Sequence, residues 1–134
     1  MGSQHIHSVY STGMAFTTQL NGHEITTDTA VTNKGSGPKA LMLVALTGCT
    51  GIDVVSILNK MRVEFSDLSI DVDAEKTEEE ASTYHIVKVI YSIKVKEEDR
   101  VKVEKAVTLS QDKYCGVAAM FRKFSKLEKE IIFL

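Results

Sequence analysis

Cysteine is the residue type here best suited to covalent chemistry, because a thiolate is a nucleophile and its sulfur steps reversibly through sulfenic acid and disulfide. The 134-residue sequence holds two, Cys49 and Cys115. One thiolate could attack a peroxide and become a sulfenic acid; the second thiol could then condense with it to a disulfide, which an external dithiol would reduce. Their wide separation fits neither the dense cysteine framework of a small secreted domain nor the paired spacing of a zinc site. A reduced, cytoplasmic setting is expected.

Each cysteine also has an inert reading. Cys49 lies in Leu46-Thr47-Gly48-Cys49-Thr50-Gly51-Ile52-Asp53, where a free cysteine could pack as a small hydrophobe. Gly48 and Gly51 favour the reactive reading, since they would open one side of a helix to an oxidant. Cys115 precedes a short apolar helical segment, with Lys113 nearby. Unpaired N–H groups and the helix dipole would favour a thiolate there; a buried thiol beside Tyr114 and Val117 is the alternative. Asp53, one helical turn after Cys49, either joins a network near the thiol or bonds a neighbouring backbone. The second reading is favoured, because an anion there would raise the thiol pKa. Arg122 is a further candidate cation but reads more simply as a solvated surface residue. His5, His7, His23 and His85 form no metal-ligand pattern with the cysteines, and neither metal nor cofactor is expected.

The elements that must position these residues follow from local pattern. Asn21-Gly22 is the strongest short hairpin signal, giving strands at about 13–20 and 23–29. Thr29 to Gly37 has loop composition, and Pro38 suits the first turn of a helix. From Lys39 to about Met61 runs a helix whose first half is apolar on nearly all faces, so burial all round is expected. Gly48 and Gly51 each cost about 1 kcal/mol in helix propensity, which close approach of a backbone or ligand would offset. Two long strands follow, Glu64 to Glu75 and Tyr84 to Lys96, joined by a solvated tip at Glu78-Glu79-Glu80. A helix at about 98–110, a helical segment from Val117 to Phe121 and a last strand from Leu127 to Phe133 complete an α+β fold, with helices on one side of an antiparallel sheet.

Composition agrees with one globular domain spanning 1–134: 43% hydrophobic, 25% charged and a net charge of -2. That balance gives no attraction for nucleic acid or an anionic membrane. The longest wholly apolar stretch, Ala40 to Leu46, falls far short of the roughly 20 residues of a membrane span. The N-terminus has no basic region followed by an apolar run, so no signal peptide is expected.

Gly37-Pro38, the apolar helix with Gly48-Cys49-Thr50-Gly51-Ile52-Asp53, and Ser110-Gln111-Asp112-Lys113-Tyr114-Cys115-Gly116-Val117 together resemble the OsmC/Ohr family of thiol-dependent peroxidases. The resemblance spans nearly the whole chain and includes the order of elements. It implies an intertwined homodimer with two central helices, Cys49 as the peroxidatic and Cys115 as the resolving cysteine, and organic or hydrogen peroxide as substrate. It further implies an external dithiol reductant, such as a lipoyl group. Members carry a glutamate just after the helix-opening proline and an arginine in the N-terminal strands. Here Lys39 and Ala40 follow Pro38, and the first arginine is Arg62. Lys39 could replace the missing cation only from the partner subunit, since ten helical residues span about 15 Å. These departures motivate a rival reading, a non-enzymatic ligand-binding or redox-sensing protein of the same fold; a structural dimer with inert cysteines is a third.

Overall fold

The N-terminal third is organised by two tight turns. In the computed structural model, which describes residues 2–134, strands β1 (Ser8–Thr12), β2 (Ala15–Leu20) and β3 (His23–Thr27) form an antiparallel sheet in that order. Asn21 (φ 49°) and Gly22 (φ 78°) both take positive φ, as the expected hairpin turn requires. Gly13 (φ 58°) turns the chain between β1 and β2. β1 is not among the expected strands, because Ser8–Thr12 is exposed throughout and shows no alternation, and β2 starts two residues later than expected.

The loop after β3 is built around Asp28, whose carboxylate accepts from Thr29 N (2.6 Å), Thr32 Oγ1 (2.5 Å) and Lys34 N (2.9 Å). These bonds hold its carboxyl below the usual aspartate range, the Thr32 hydroxyl contributing most. Gly35 has no room for a side chain, since a Cβ there would overlap the Thr26 carbonyl.

Helix α1 (Pro38–Lys60) opens at its proline as expected. It ends where Arg62 (φ 58°) takes the left-handed position and Val63 N and Arg62 N donate to Leu58 O (2.9 Å) and Asn59 O (3.0 Å), a double-bonded helix stop usually made with glycine. The chain divides into two compact units, Met1–Val44 and Ala45–Leu134.

In the second unit, β4 (Ser66–Lys76) and β5 (Tyr84–Lys94) form a long antiparallel hairpin, its tip closed by Thr77 N donating to Thr83 O (2.8 Å). Val87, Val89, Tyr91 and Ile93 of β5 alternate into the core. Ile86, three residues before Val89, points to the opposite face. A 3-10 turn (Glu97–Asp99), α2 (Arg100–Leu109), a single π turn (Ser110–Tyr114) and α3 (Gly116–Phe124) lead to β6 (Lys126–Phe133).

β6 runs parallel to β5, so the sheet is mixed rather than wholly antiparallel. The reason is the connection: residues 95–125, mostly helical, form the long crossover a parallel pair needs. Val103, Ala106 and Val107 of α2 and Ala118 and Phe121 of α3 complete the core.

The expected burial of α1 on all faces does not hold in the folded chain. Only Leu46, Thr50, Val54 and Leu58, one stripe at four-residue spacing, are buried, whereas Ile52 is 72% exposed. A single sheet face can cover only one stripe of a helix. Taken as a whole helix rather than an uninterrupted apolar run, α1 is long and apolar enough to cross a membrane. Its buried stripe is spent on the sheet instead, where Thr50 bonds Tyr91 and Gly51 lies against Ile70.

Candidate active site at the thiol pair

Cys49 is on α1, one residue before the buried stripe position Thr50, and is half-buried. Cys115 is the residue between the π turn and α3, and is 2% exposed. Although far apart in sequence, the two thiols are close enough for Cys49 to perturb the titration of Cys115.

The helix-start position expected for Cys115 is confirmed. It caps α3, and its Sγ accepts from Ala118 N at 3.3 Å. The expected electrostatic outcome is reversed. Burial, then the hydrogen bond to Cys49, push the Cys115 thiol up to about 11, and the opposing Ala118 N–H is too weak to compensate. Removing a charge from water costs more than one capping N–H returns. Nor does Lys113 serve the sulfur: its ammonium lies 5.2 Å from the centre of the Tyr114 ring.

Beneath the thiols runs a buried polar network that the sequence reading missed. Gln111 Nε2 donates to Tyr91 OH (2.9 Å); Tyr91 OH and Thr50 Oγ1 are 2.7 Å apart; Thr50 Oγ1 and Ser110 Oγ are 2.8 Å apart; Ser110 Oγ donates to Asp53 Oδ2 (3.0 Å). Because an amide N–H only donates and a carboxylate only accepts, the two ends orient every hydroxyl between them. Protons point from Gln111 through Tyr91, Thr50 and Ser110 to Asp53. Burial raises the Tyr91 phenol, and Cys115 and Asp53 add to it. The available signal was polar residues in apolar runs: Thr50 within the buried stripe and Tyr91 in the core face of β5.

Asp53 therefore takes the network reading rather than the favoured backbone one. Arg122 is exposed, but its guanidinium donates to the Gln111 carbonyl, bracing the π turn rather than approaching a thiol. Lys39 is half-buried at the second position of α1 and belongs to the first unit, whereas both thiols belong to the second.

The two glycines beside Cys49 differ. A Cβ on Gly51 would sit 3.1 Å from Ile70 Cδ1, so close packing on β4 accounts for it; around Gly48 nothing lies within 4 Å. A cavity of about 570 Å³ opens between Asp53, Ile57 and Lys60 of α1, Met61 just past its end, and Leu109 and Tyr114. Among the described residues no three His, Cys, Asp or Glu side chains converge to hold a metal ion.

Protein YhfA of Escherichia coli strain K12 is 34% identical over 103 residues, 77% of this chain and 77% of that protein. A crystal structure of a hypothetical protein from Aquifex aeolicus VF5 superposes with a TM-score of 0.89 at 29% identity, covering 100% of this chain and 98% of that one. The organic hydroperoxide resistance protein OhrB of Bacillus subtilis shares the fold, with a TM-score of 0.64 at 16% identity over 96% of this chain and 98% of its own. The family model described as OsmC-like protein matches residues 31–129, the stretch that carries both cysteines and the whole network, and the chain belongs to the OsmC family.

Proposed function

We propose that this protein is a thiol-dependent peroxidase that reduces organic or hydrogen peroxides through a Cys49–Cys115 disulfide cycle. The observation that carries the reading is the pairing of a half-buried thiol, Cys49, with a fully buried one held protonated, Cys115, whose titration Cys49 perturbs. Exposure makes Cys49 the sulfur a peroxide can reach. Its thiolate attacks one peroxide oxygen; an S–O bond forms, the O–O bond breaks, and the departing oxygen leaves with a proton as alcohol or water. The Cys115 sulfur then attacks the sulfenic sulfur. An S–S bond forms, the S–O bond breaks, and hydroxide leaves as water with the Cys115 proton. An external dithiol, of lipoyl type by family analogy, returns two electrons and restores both thiols. Membership of the OsmC family and the likeness to organic hydroperoxide resistance proteins support the peroxide as oxidant. Ile57, Met61 and Leu109 give the cavity beside Asp53 an apolar wall that suits the organic group of such a substrate.

The working form is a homodimer in the cytoplasm, where thiols are kept reduced. Ala45, Gly48 and Ile52 make an exposed stripe on α1, and a second copy would cover it. Lys39 of that copy is the proposed source of positive charge; an unchanged Cys49 titration in Lys39→Ala would remove it from the mechanism. Lys39 and Ala40 after Pro38, in place of the family's glutamate, also favour a second reading: a ligand-binding or redox-sensing protein. Mass spectrometry after stoichiometric organic hydroperoxide separates the two. The peroxidase forms a rapid Cys49–Cys115 disulfide, with sulfenic acid trapped at Cys49 in Cys115→Ser. If both thiols stay reduced yet react with an alkylating reagent, the second reading stands.

A further inference from the structure

The thiol pair is split between two elements far apart in sequence: Cys49 on α1, and Cys115 on the junction of the π turn and α3. A π turn inserts a residue into a helix and is strained relative to an α turn, so it persists where surrounding bonds hold it. Five bonds do so here. Cys115 N donates to Ser110 O (2.7 Å), closing the turn. The Arg122 guanidinium donates to the Gln111 carbonyl. The Ser110 hydroxyl donates to Asp53 of α1 and meets Thr50 of α1, and the Gln111 amide donates to Tyr91 of β5. The first residue of the π turn is thus bonded to α1 one residue and one turn beyond Cys49, and the second to the central strand.

We infer that Ser110, Asp53, Thr50, Tyr91 and Gln111 are positioning residues, a polarised hydrogen-bond latch that holds Cys115 against Cys49 and so sets the rate and equilibrium of their disulfide. This rests on the thiol-pair reading above. The latch acts on the resolving step and not on the first attack. None of its hydroxyl protons is free for the sulfurs, because each is committed along the chain from Gln111 to Asp53. Its effect is to raise the effective concentration of the Cys115 thiol at the Cys49 sulfur, as any preorganising contact does. Loosening it leaves Cys49 open to peroxide while Cys115 spends more of its time away from the sulfenic sulfur. The half-buried end at Asp53 and the buried links through Tyr91 act together, since cutting either frees a neighbouring hydroxyl from its partner.

The test uses Ser110→Ala, which removes the link to α1, and Tyr91→Phe, which keeps the ring and deletes only the hydroxyl. Asp53→Asn retains an acceptor for Ser110, whereas Asp53→Ala does not. Two quantities are read on the full-length protein: the Cys49–Cys115 reduction potential in glutathione redox buffers, and the lifetime of Cys49 sulfenic acid after one equivalent of organic hydroperoxide. Ser110→Ala, Tyr91→Phe and Asp53→Ala are expected to lower the disulfide equilibrium constant about tenfold, a potential about 30 mV less negative, and to lengthen the sulfenic lifetime by a similar factor. Asp53→Asn is expected to stay within about twofold of wild type, a rescue that a merely destabilising change would not show. If Ser110→Ala fails to fold, Tyr91→Phe decides the matter. An unchanged potential in folded Tyr91→Phe overturns the latch, even if peroxide turnover is present. A shifted potential in a protein without peroxide turnover leaves the latch standing and removes the peroxidase reading. Absence of any Cys49–Cys115 disulfide in oxidising buffer overturns both.

Discussion

Burial and the neighbouring Cys49 together push the Cys115 thiol from 9.0 up to about 11, and that shift is open to direct measurement. Alkylation by iodoacetamide proceeds through the thiolate. A thiol titrating at about 11 gains roughly 90-fold in thiolate between pH 8 and pH 10, whereas one at 9.0 gains only about 10-fold. Using the ratio of rates at the two pH values cancels the slow access expected of a sulfur that is 2% exposed. Pulse alkylation with peptide mass spectrometry reads Cys115 separately from Cys49. Cys49→Ala removes the second-ranked cause, the thiol–thiol hydrogen bond, while leaving burial, the largest, in place. In that variant the ratio is expected to fall below 90-fold but remain above 10-fold. A wild-type ratio near 10-fold, or a Cys49→Ala ratio equal to wild type, would refute the account of how this pair is coupled. The linked stability has a definite sign. A thiol whose folded pKa is raised favours the native state below its unfolded pKa and ceases to do so as pH rises through the folded value. Denaturant midpoints are therefore expected to fall between pH 9 and 11, and less so in Cys115→Ala.

Two further outcomes follow from the glycines. Gly48→Ala should stabilise a lone protomer by about 1 kcal/mol through helix propensity, since nothing lies within 4 Å of the added methyl. If a second copy covers the Ala45, Gly48 and Ile52 stripe, as proposed, the same change weakens the dimer, and sedimentation equilibrium distinguishes a mass shift from unchanged mass with a higher midpoint. Gly35→Ala places a Cβ on the Thr26 carbonyl and should break the Ser36 N to Thr26 O bond of 3.1 Å. Hydrogen exchange at Ser36 is expected to accelerate at least tenfold, with no change at Val89 in the second unit.

What the chain determined locally was legible before any coordinates. Asn21-Gly22 requires a tight turn because both positions take positive φ, Pro38 suits the first turn of a helix but not its interior, and the alternation in β4 and β5 announces strands. The motifs around Cys49 and Cys115 carried the family and therefore the order of elements. Long-range pairing was not legible. Nothing in Leu127 to Phe133 states that this strand runs parallel to β5; the direction is decided by the length and packing of the helices that precede it. The same holds for the site. Sequence pattern placed Cys115 correctly at a helix start, and by helix electrostatics alone it would be a stabilised thiolate. Tertiary burial reverses that outcome, because desolvation of the sulfur outweighs one N–H bond. Thr50, Asp53, Tyr91, Ser110 and Gln111 come from three elements, and each alone is an unremarkable polar residue. Only folding, by closing water out around them, forces their hydrogen bonds onto one another and makes a directed network beneath the thiols.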